Sequence, residues 1–428
     1  MKQKQAIKIL KQGHNAFITG AAGSGKTFLA KKFISWAKAK GKAVAITAST
    51  GIAATHLNGI TVHSWSGIKV HKTLSDSEIR KMMQRDYLRE HIMQSDILVI
   101  DEISMLHAFQ FDLINKVCKL FRQDARPFGG LQVVISGDFF QLPPVVRSGD
   151  GPGHQNFVVN SAAWSELELN VCYLTEQYRH QDSQFLTLLN NIRQQKYDAA
   201  DIELLKSRIG AELYSDVQPV KIYTHNVDVD SINSMELSEI NKKPVTHWME
   251  SSGLSHLVRQ LQNNCLAPEE LVLKKGAVVM FVKNKFDAGY INGTMGVVED
   301  FDENLYPIVK TAEGNTIHVR PASWTVNEQN EVVAEIKQLP LRLAWAITVH
   351  KSQGMSLDLT EVDLSKSFGY GMGYVALSRV RSLEGLRLLG FNKTALRVDP
   401  KVIELNKTFI HESNKIGKVS YYSSKFYK

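Results

Sequence analysis

One run of this chain combines residue type, spacing and context in a way that points to a single chemistry. Gly20-Ala21-Ala22-Gly23-Ser24-Gly25-Lys26-Thr27 follows the short apolar stretch Ala16-Phe17-Ile18-Thr19, the strand-to-helix setting of a phosphate-binding loop. Gly20, Gly23 and Gly25, with Ser24 between them, let successive backbone N–H groups turn inward around an anion. The helix that follows aims its positive end at the same place. Lys26 is spaced to reach the β- and γ-phosphates, and the Thr27 hydroxyl to ligate Mg²⁺. A nucleoside triphosphate is the expected ligand.

Ile100-Asp101-Glu102-Ile103-Ser104 closes a second buried apolar run 75 residues after Lys26. Asp101 is placed to hold the Mg²⁺ that Thr27 also binds, and Glu102 to polarise the attacking water as general base. Ser136-Gly137-Asp138-Phe139-Phe140-Gln141-Leu142-Pro143-Pro144 ends the next apolar run. Gln141 there can bond the γ-phosphate or the attacking water and lose that bond after hydrolysis, which makes it a sensor. Arg179 and Arg379, the latter in Tyr374-Val375-Ala376-Leu377-Ser378-Arg379, suit fingers that reach across a cleft to the transferring phosphoryl group.

Two further runs carry donors suited to a phosphodiester chain. In Ala48-Ser49-Thr50-Gly51 and Gly59-Ile60-Thr61-Val62-His63-Ser64-Trp65, the candidates are Thr50, Gly51, His63 and Ser64. Such contacts carry no sequence information. Trp65 either stacks a base or belongs to the core. In Thr348-Val349-His350-Lys351-Ser352-Gln353-Gly354 the candidates are Thr348, His350, Lys351 and Ser352, with Gly354 assigned to the nucleotide side.

These motifs need a scaffold, and the pattern of elements supplies one. Ala43–Thr47, Ile97–Ile100 and Gln132–Ile135 are β-branched runs that alternate with helical apolar spacing such as Phe28 to Lys40. That alternation implies an α/β fold with a parallel sheet and its site at the C-terminal ends of the strands. A second α/β series is read as starting at Val171-Cys172-Tyr173-Leu174 and continuing through Val220–Thr224, Ala344–Thr348 and Leu386–Leu389. Between 268 and 338 the texture changes to short strands. Turn signals such as Asn292-Gly293 and Glu313-Gly314-Asn315 separate them, which reads as a small β-barrel-like insert. The charged segment Lys72 to His91 interrupts the first domain as a helical excursion. The basic, aromatic tail after Asn414 reads as a frayed terminus or a base-stacking segment.

The 428 residues are too many for one ordinary core. No apolar run approaches the eighteen or more residues of a membrane helix, and the N-terminus lacks a signal-peptide apolar region. An intracellular location is expected, cytoplasmic and nucleoid-associated in a bacterium, or nuclear. Cys118, Cys172 and Cys265 lie far apart and form no zinc or disulfide pattern. The net charge of +8 is compatible with a polyanionic partner or with a plain cationic protein.

The ordered series of motifs resembles superfamily 1 helicases, in particular the Pif-type branch of the 5′→3′ subgroup that includes RecD-like enzymes. The likeness runs from Gln3 to about Phe391. Gln3, ten residues before Gly13, resembles the family's adenine-reading glutamine, with Gln5 as the alternative. Phe111 to Gly130, ending in Arg126-Pro127-Phe128-Gly129-Gly130, resembles the segment that separates this branch from its relatives. Tyr178 and His180 depart from the Phe and Gln that often flank the family's arginine.

The resemblance implies two RecA-like domains. They are expected at 1–170, and at 171–267 with 339–412. A wedge insert near 67–92, an SH3-like insert at 268–338 and a tail at 413–428 complete the organisation. It implies an ATP- and Mg²⁺-dependent 5′→3′ helicase acting on single-stranded and forked DNA as a monomer, in repair, replication or recombination. A translocase without processive unwinding, or an enzyme of RNA or RNA–DNA hybrids, is the alternative.

Overall fold

The computed structural model describes residues 1–68, 72–144, 157–179, 182–213, 219–283, 285, 288–290, 293–311, 314–328 and 331–423. His180, Asn292, Glu313, residues 69–71 of the wedge range and 424–428 of the tail lie outside them. Among the described residues no helix is long and apolar enough to cross a membrane.

The first sheet is built from β1 (Ala16–Gly20), β2 (Val44–Ala48), β3 (Ile60–Thr61), β4 (Ile97–Asp101), β5 (Gln132–Ser136) and β6 (Asn170–Leu174). Its spatial order is β3-β2-β4-β5-β1-β6, with every pairing parallel. Every residue of β1 and β4 is buried, as strands with helices on both faces must be. Asn15, just before β1, clamps both neighbours. Its Oδ1 accepts from the Val133 amide, and its Nδ2 donates to the Leu167 carbonyl.

The glycine loop leaves β1, Asp101 ends β4, and Gly137 follows β5. All three therefore meet at the sheet's C-terminal edge. The segment after β3 folds as the short helices Val62–Ser66, Asp76–Met82 and Asp86–Gln94. The second of these opens on a capping box formed by Ser75 and Glu78.

Val171–Leu174 corrects the sequence reading. It is β6, paired in register with β1 from Ala16↔Asn170 to Gly20↔Leu174, and it belongs to the first sheet. A short apolar run reveals that it is a strand but not which sheet it joins. The second sheet is parallel and four-stranded, in the order Ala346–Thr348, Val220–Tyr223, Thr360–Leu364, Leu386–Phe391. Its central strand Thr360–Leu364 has no counterpart in the sequence reading.

The β-rich region also exceeds the expected 268–338. Its five-stranded antiparallel sheet includes Leu341–Leu343, and its smaller sheets recruit Val245–Trp248 and Glu250–Gly253. Glu250–Gly253 is exposed throughout and carries no apolar alternation. Only pairing with Glu331–Gln338 makes it a strand.

The C-terminal helix gives a further correction. In place of a boundary at 412/413 between the second domain and a separate tail, Pro400–Ser423 is one helix that returns to the first domain. Phe409 sits 5.0 Å from Phe17 of β1 and 5.9 Å from Phe139 of the sensor loop, ring centre to ring centre. Ser413 Oγ accepts from the Tyr173 amide of β6 at 3.0 Å. Phe409→Ala is expected to lower unfolding free energy by about 3–5 kcal/mol, because the packed aromatic cluster cannot collapse onto the void. Denaturant titration of parent and variant measures it.

Candidate functional site

Between the two sheets lies a cleft of about 780 Å³, lined by Lys26, Thr27, Glu102, Gln141, Arg179 and Arg379 among others. Six residues whose types suit triphosphate chemistry thus face one volume, although they span more than 350 positions of the chain.

The loop is shaped by close approach as much as by torsion. Gly25 has φ +83°, and a Cβ there would lie 2.2 Å from Gln3 Nε2. Gln3 Nε2 lies 3.4 Å from the carbonyls of both Ser24 and Gly25, whereas Gln5 Oε1 accepts from the Lys2 amide and caps its own helix. Of the two glutamines left open by the sequence, Gln3 is the one beside the loop. Lys26 is buried, and its Nζ donates to the Gly20 and Ala21 carbonyls at 2.9 and 3.2 Å. Burial lowers its pKa, opposed by the charges of Asp138 and Glu102.

Thr27 Oγ1 stands 3.5 Å from Asp101 Oδ2, while Asp101 Oδ1 accepts from the Glu102 amide. Glu102 adopts a left-handed backbone, φ +50°, a strained conformation for a side-chain-bearing residue that recurs at functional sites. Burial, with Asp101 next to it, pushes the Glu102 carboxyl up to about 7. Gln141 is buried across from it.

On the far wall, Arg379 is only 1% exposed. Its Nε donates to the Val375 carbonyl and its Nη2 to Ser378 Oγ. Arg179 Nη1 donates to the Ser378 carbonyl at 3.1 Å. Burial, and then the neighbouring Arg179, pulls Arg379 down to about 9. Two desolvated cations held side by side form a wall suited to a polyanion.

A buried network ties the walls together. Tyr374, from the second domain, receives a hydrogen bond from the Ala22 amide of the loop at 2.9 Å and donates to Asp138 at 3.3 Å. Asp138 also pairs with Arg193 at 3.1 Å, whose guanidinium lies 4.1 Å from the Phe140 ring centre. Burial opposes charge on Arg193, but Asp138 with Tyr374 and Tyr173 outweighs it and holds the group above its ordinary value.

The runs assigned to a phosphodiester chain are placed less uniformly. Thr50 and His63 are half-buried, and Gly51 and Ser64 are exposed, all beyond the C-terminal ends of β2 and β3. Trp65 is 3% exposed within the main core, which leaves no face for base stacking. In the second run His350 and Lys351 are half-buried. Thr348 and Ser352 are buried, and their side chains serve the turn. Thr348 Oγ1 accepts from the Lys351 amide, and Ser352 Oγ donates to the Val349 carbonyl at 2.8 Å. In this structure the Thr348 and Ser352 hydroxyls thus make turn-stabilising bonds.

Several site residues escaped the sequence reading. Phe28 and Tyr178 line the cleft with rings 61% and 60% exposed. An aromatic residue directly after Thr27 and another directly before Arg179 were the available signal. His56 also lines the cleft. Gln353 lies inside a run already singled out, yet no spacing rule reveals which neighbours its amide meets. Among the described residues no cluster of three or more His, Cys, Asp or Glu could hold a metal.

Comparison with known proteins shows what the chain is similar to. Residues 2–202 match the PIF1-like helicase family, and residues 256–301 match the DNA helicase Pif1 2B domain. The chain is 42% identical over 459 residues to the ATP-dependent DNA helicase Pif1 of Psychrobacter sp. strain PRwf-1, covering 94% of this chain and 69% of that protein. It spans about two thirds of the length of several of the curated relatives it matches. The crystal structure of Candida albicans Pif1 helicase superposes with a TM-score of 0.85 at 34% identity, covering 95% of this chain and 98% of that one. Bacteroides Pif1 bound to single-stranded DNA gives 0.73 at 30% identity, covering 97% and 98%.

Proposed function

The chain belongs to the PIF1-like helicase family, and from that premise we propose that it is an ATP-dependent DNA helicase. It would move 5′→3′ on single-stranded DNA and open the duplex ahead of it. The observation that carries this reading is the shared cleft. Lys26 and Glu102 of the first domain face Arg379 of the second across about 780 Å³, with Arg179, from the segment after β6, reaching over to the Ser378 carbonyl, so a bound triphosphate links the two domains.

In this reading Gln3 reads the adenine edge, and Phe28 and Tyr178 flank the base. Lys26 and the loop amides hold the β- and γ-phosphates. Glu102 accepts the proton of the attacking water, and Gln141 orients that water. Arg179 and Arg379 balance the charge that develops on the transferring group. Thr27 Oγ1 and Asp101 Oδ2, hard oxygen donors 3.5 Å apart, fit Mg²⁺, which when bound with ATP would neutralise phosphate charge.

Hydrolysis splits the triphosphate into ADP and phosphate, and departure of the phosphate removes the anion between the two arginines and Lys26, so the domains are free to separate. Alternating hold by the Thr50–Ser64 and His350–Lys351 surfaces then advances the strand. Opening each base-pair step costs about 1.4 kcal/mol of stacking, which the domain cycle must supply.

Strand displacement from a 5′-tailed duplex with ATP, and none from a 3′-tailed one, is the expected result. Displacement only from the 3′-tailed duplex would reverse the polarity. Displacement only of RNA–DNA hybrids would change the substrate.

A further inference from the structure

Gln353 occupies a position that the proposed reaction does not yet use. It is 6% exposed and reaches from the second domain into the hydrolytic centre of the first. Its Nε2 donates to Glu102 Oε2 at 3.3 Å and to Gln141 Oε1 at 3.3 Å. A side-chain amide has two N–H groups, so one donor group can hold the base and the sensor together. Holding the Gln141 carbonyl in this way leaves the Gln141 NH₂ as its donor toward a γ-phosphate or water.

The backbone behind Gln353 is a stiff turn. The Lys351 amide bonds Thr348 Oγ1, the Ser352 amide bonds the Thr348 carbonyl, and the Met355 amide bonds the Ser352 carbonyl. Gly354, at φ +82°, packs so closely on His56 that a Cβ would lie 2.1 Å from the imidazole Cε1. His350 and Lys351, the half-buried pair of the strand-holding surface, are therefore two or three residues from the amide that holds Glu102 and Gln141. Little slack separates them.

We propose that Gln353 is the positioning residue through which single-stranded DNA on the His350–Lys351 turn sets the geometry of the Glu102–Gln141 pair, and so switches hydrolysis on. This rests on the helicase reading above. Strand binding shifts the turn, the turn carries the Gln353 amide, and the amide orients the carboxylate that takes the proton. Gln353 touches neither nucleotide nor water in this scheme and acts through the pair it holds.

The test uses the full chain with ATP, Mg²⁺ and a saturating oligothymidylate. Gln353→Met keeps the length of the side chain without its donors, and Gln353→Ala provides a second variant. Oligonucleotide binding without nucleotide reports that each remains folded. In both, DNA-stimulated kcat is expected to fall about 30-fold, the effect of losing a hydrogen bond to a charged group. KM for ATP should stay near the parent's, and the ratio of stimulated to unstimulated turnover should collapse toward one. Lys351→Ala should raise the oligonucleotide concentration needed for stimulation while keeping its maximum.

A Gln353→Met protein that keeps the parental ratio overturns the inference alone, whether its turnover is unchanged or lowered equally in both conditions. A parent that hydrolyses ATP at one rate with and without the oligonucleotide overturns the function and the inference with it.

Discussion

Lys26→Ala is expected to lower ATP turnover by about 10²- to 10³-fold while leaving single-stranded DNA binding largely intact. Lys26 is a cation on the first domain's side of the cleft, and its ammonium is held at the loop by the Gly20 and Ala21 carbonyls. Burial lowers its pKa, so part of its solvation is already lost before a phosphate arrives and its interaction with that phosphate is correspondingly strong. Alanine removes both the charge and the reach. The proposed strand-holding residues lie on other segments, Thr50–Ser64 and His350–Lys351, and do not depend on it. Steady-state hydrolysis and oligonucleotide anisotropy on one preparation separate the two effects. Parental turnover in the variant would refute the assignment of the loop.

Arg379→Met should have the larger effect, lowering DNA-stimulated kcat by about 10³- to 10⁵-fold, the usual worth of an arginine finger. Its effect on stability should have the opposite sign. The folded-state pKa of Arg379 is depressed to about 9 by burial and by Arg179. A cation whose pKa falls on folding binds its proton more weakly in the folded than in the unfolded state. Stability therefore rises as pH climbs from about 9 toward the unfolded value, and the full cost applies below 9.

Methionine fills a similar volume without the charge, so the variant's melting temperature at neutral pH should match or exceed the parent's. Lost turnover with an undiminished melting temperature would identify a residue kept for chemistry. A drop in both would make Arg379 a structural residue.

The residues of the candidate nucleotide site were legible because phosphate chemistry restricts residue type and local spacing together. The glycine loop, the acidic pair at a strand end and the sensor after the next strand are each contiguous segments. Gln3 and Gln5 could not be separated from sequence, since only packing sets one against Gly25 and leaves the other as a helix cap. Thr348 and Ser352 look like strand-binding hydroxyls on paper. Ser and Thr hydroxyls also bond their own backbone, and here they do.

By itself the sequence determined most of the first domain's elements and the candidate chemistry. It specified a phosphate loop, paired carboxylates, two arginines and a parallel α/β scaffold, because each is encoded within a few residues by periodicity or motif. Tertiary structure alone decided how they meet. It placed Val171–Leu174 in the first sheet and brought the helix Pro400–Ser423 back across the first domain. It also stretched the β-rich module beyond 268–338 and set the Gln353 amide between Glu102 and Gln141. Those outcomes depend on which distant surfaces bury against each other and which donors find acceptors hundreds of residues away. Local residue type does not carry that information.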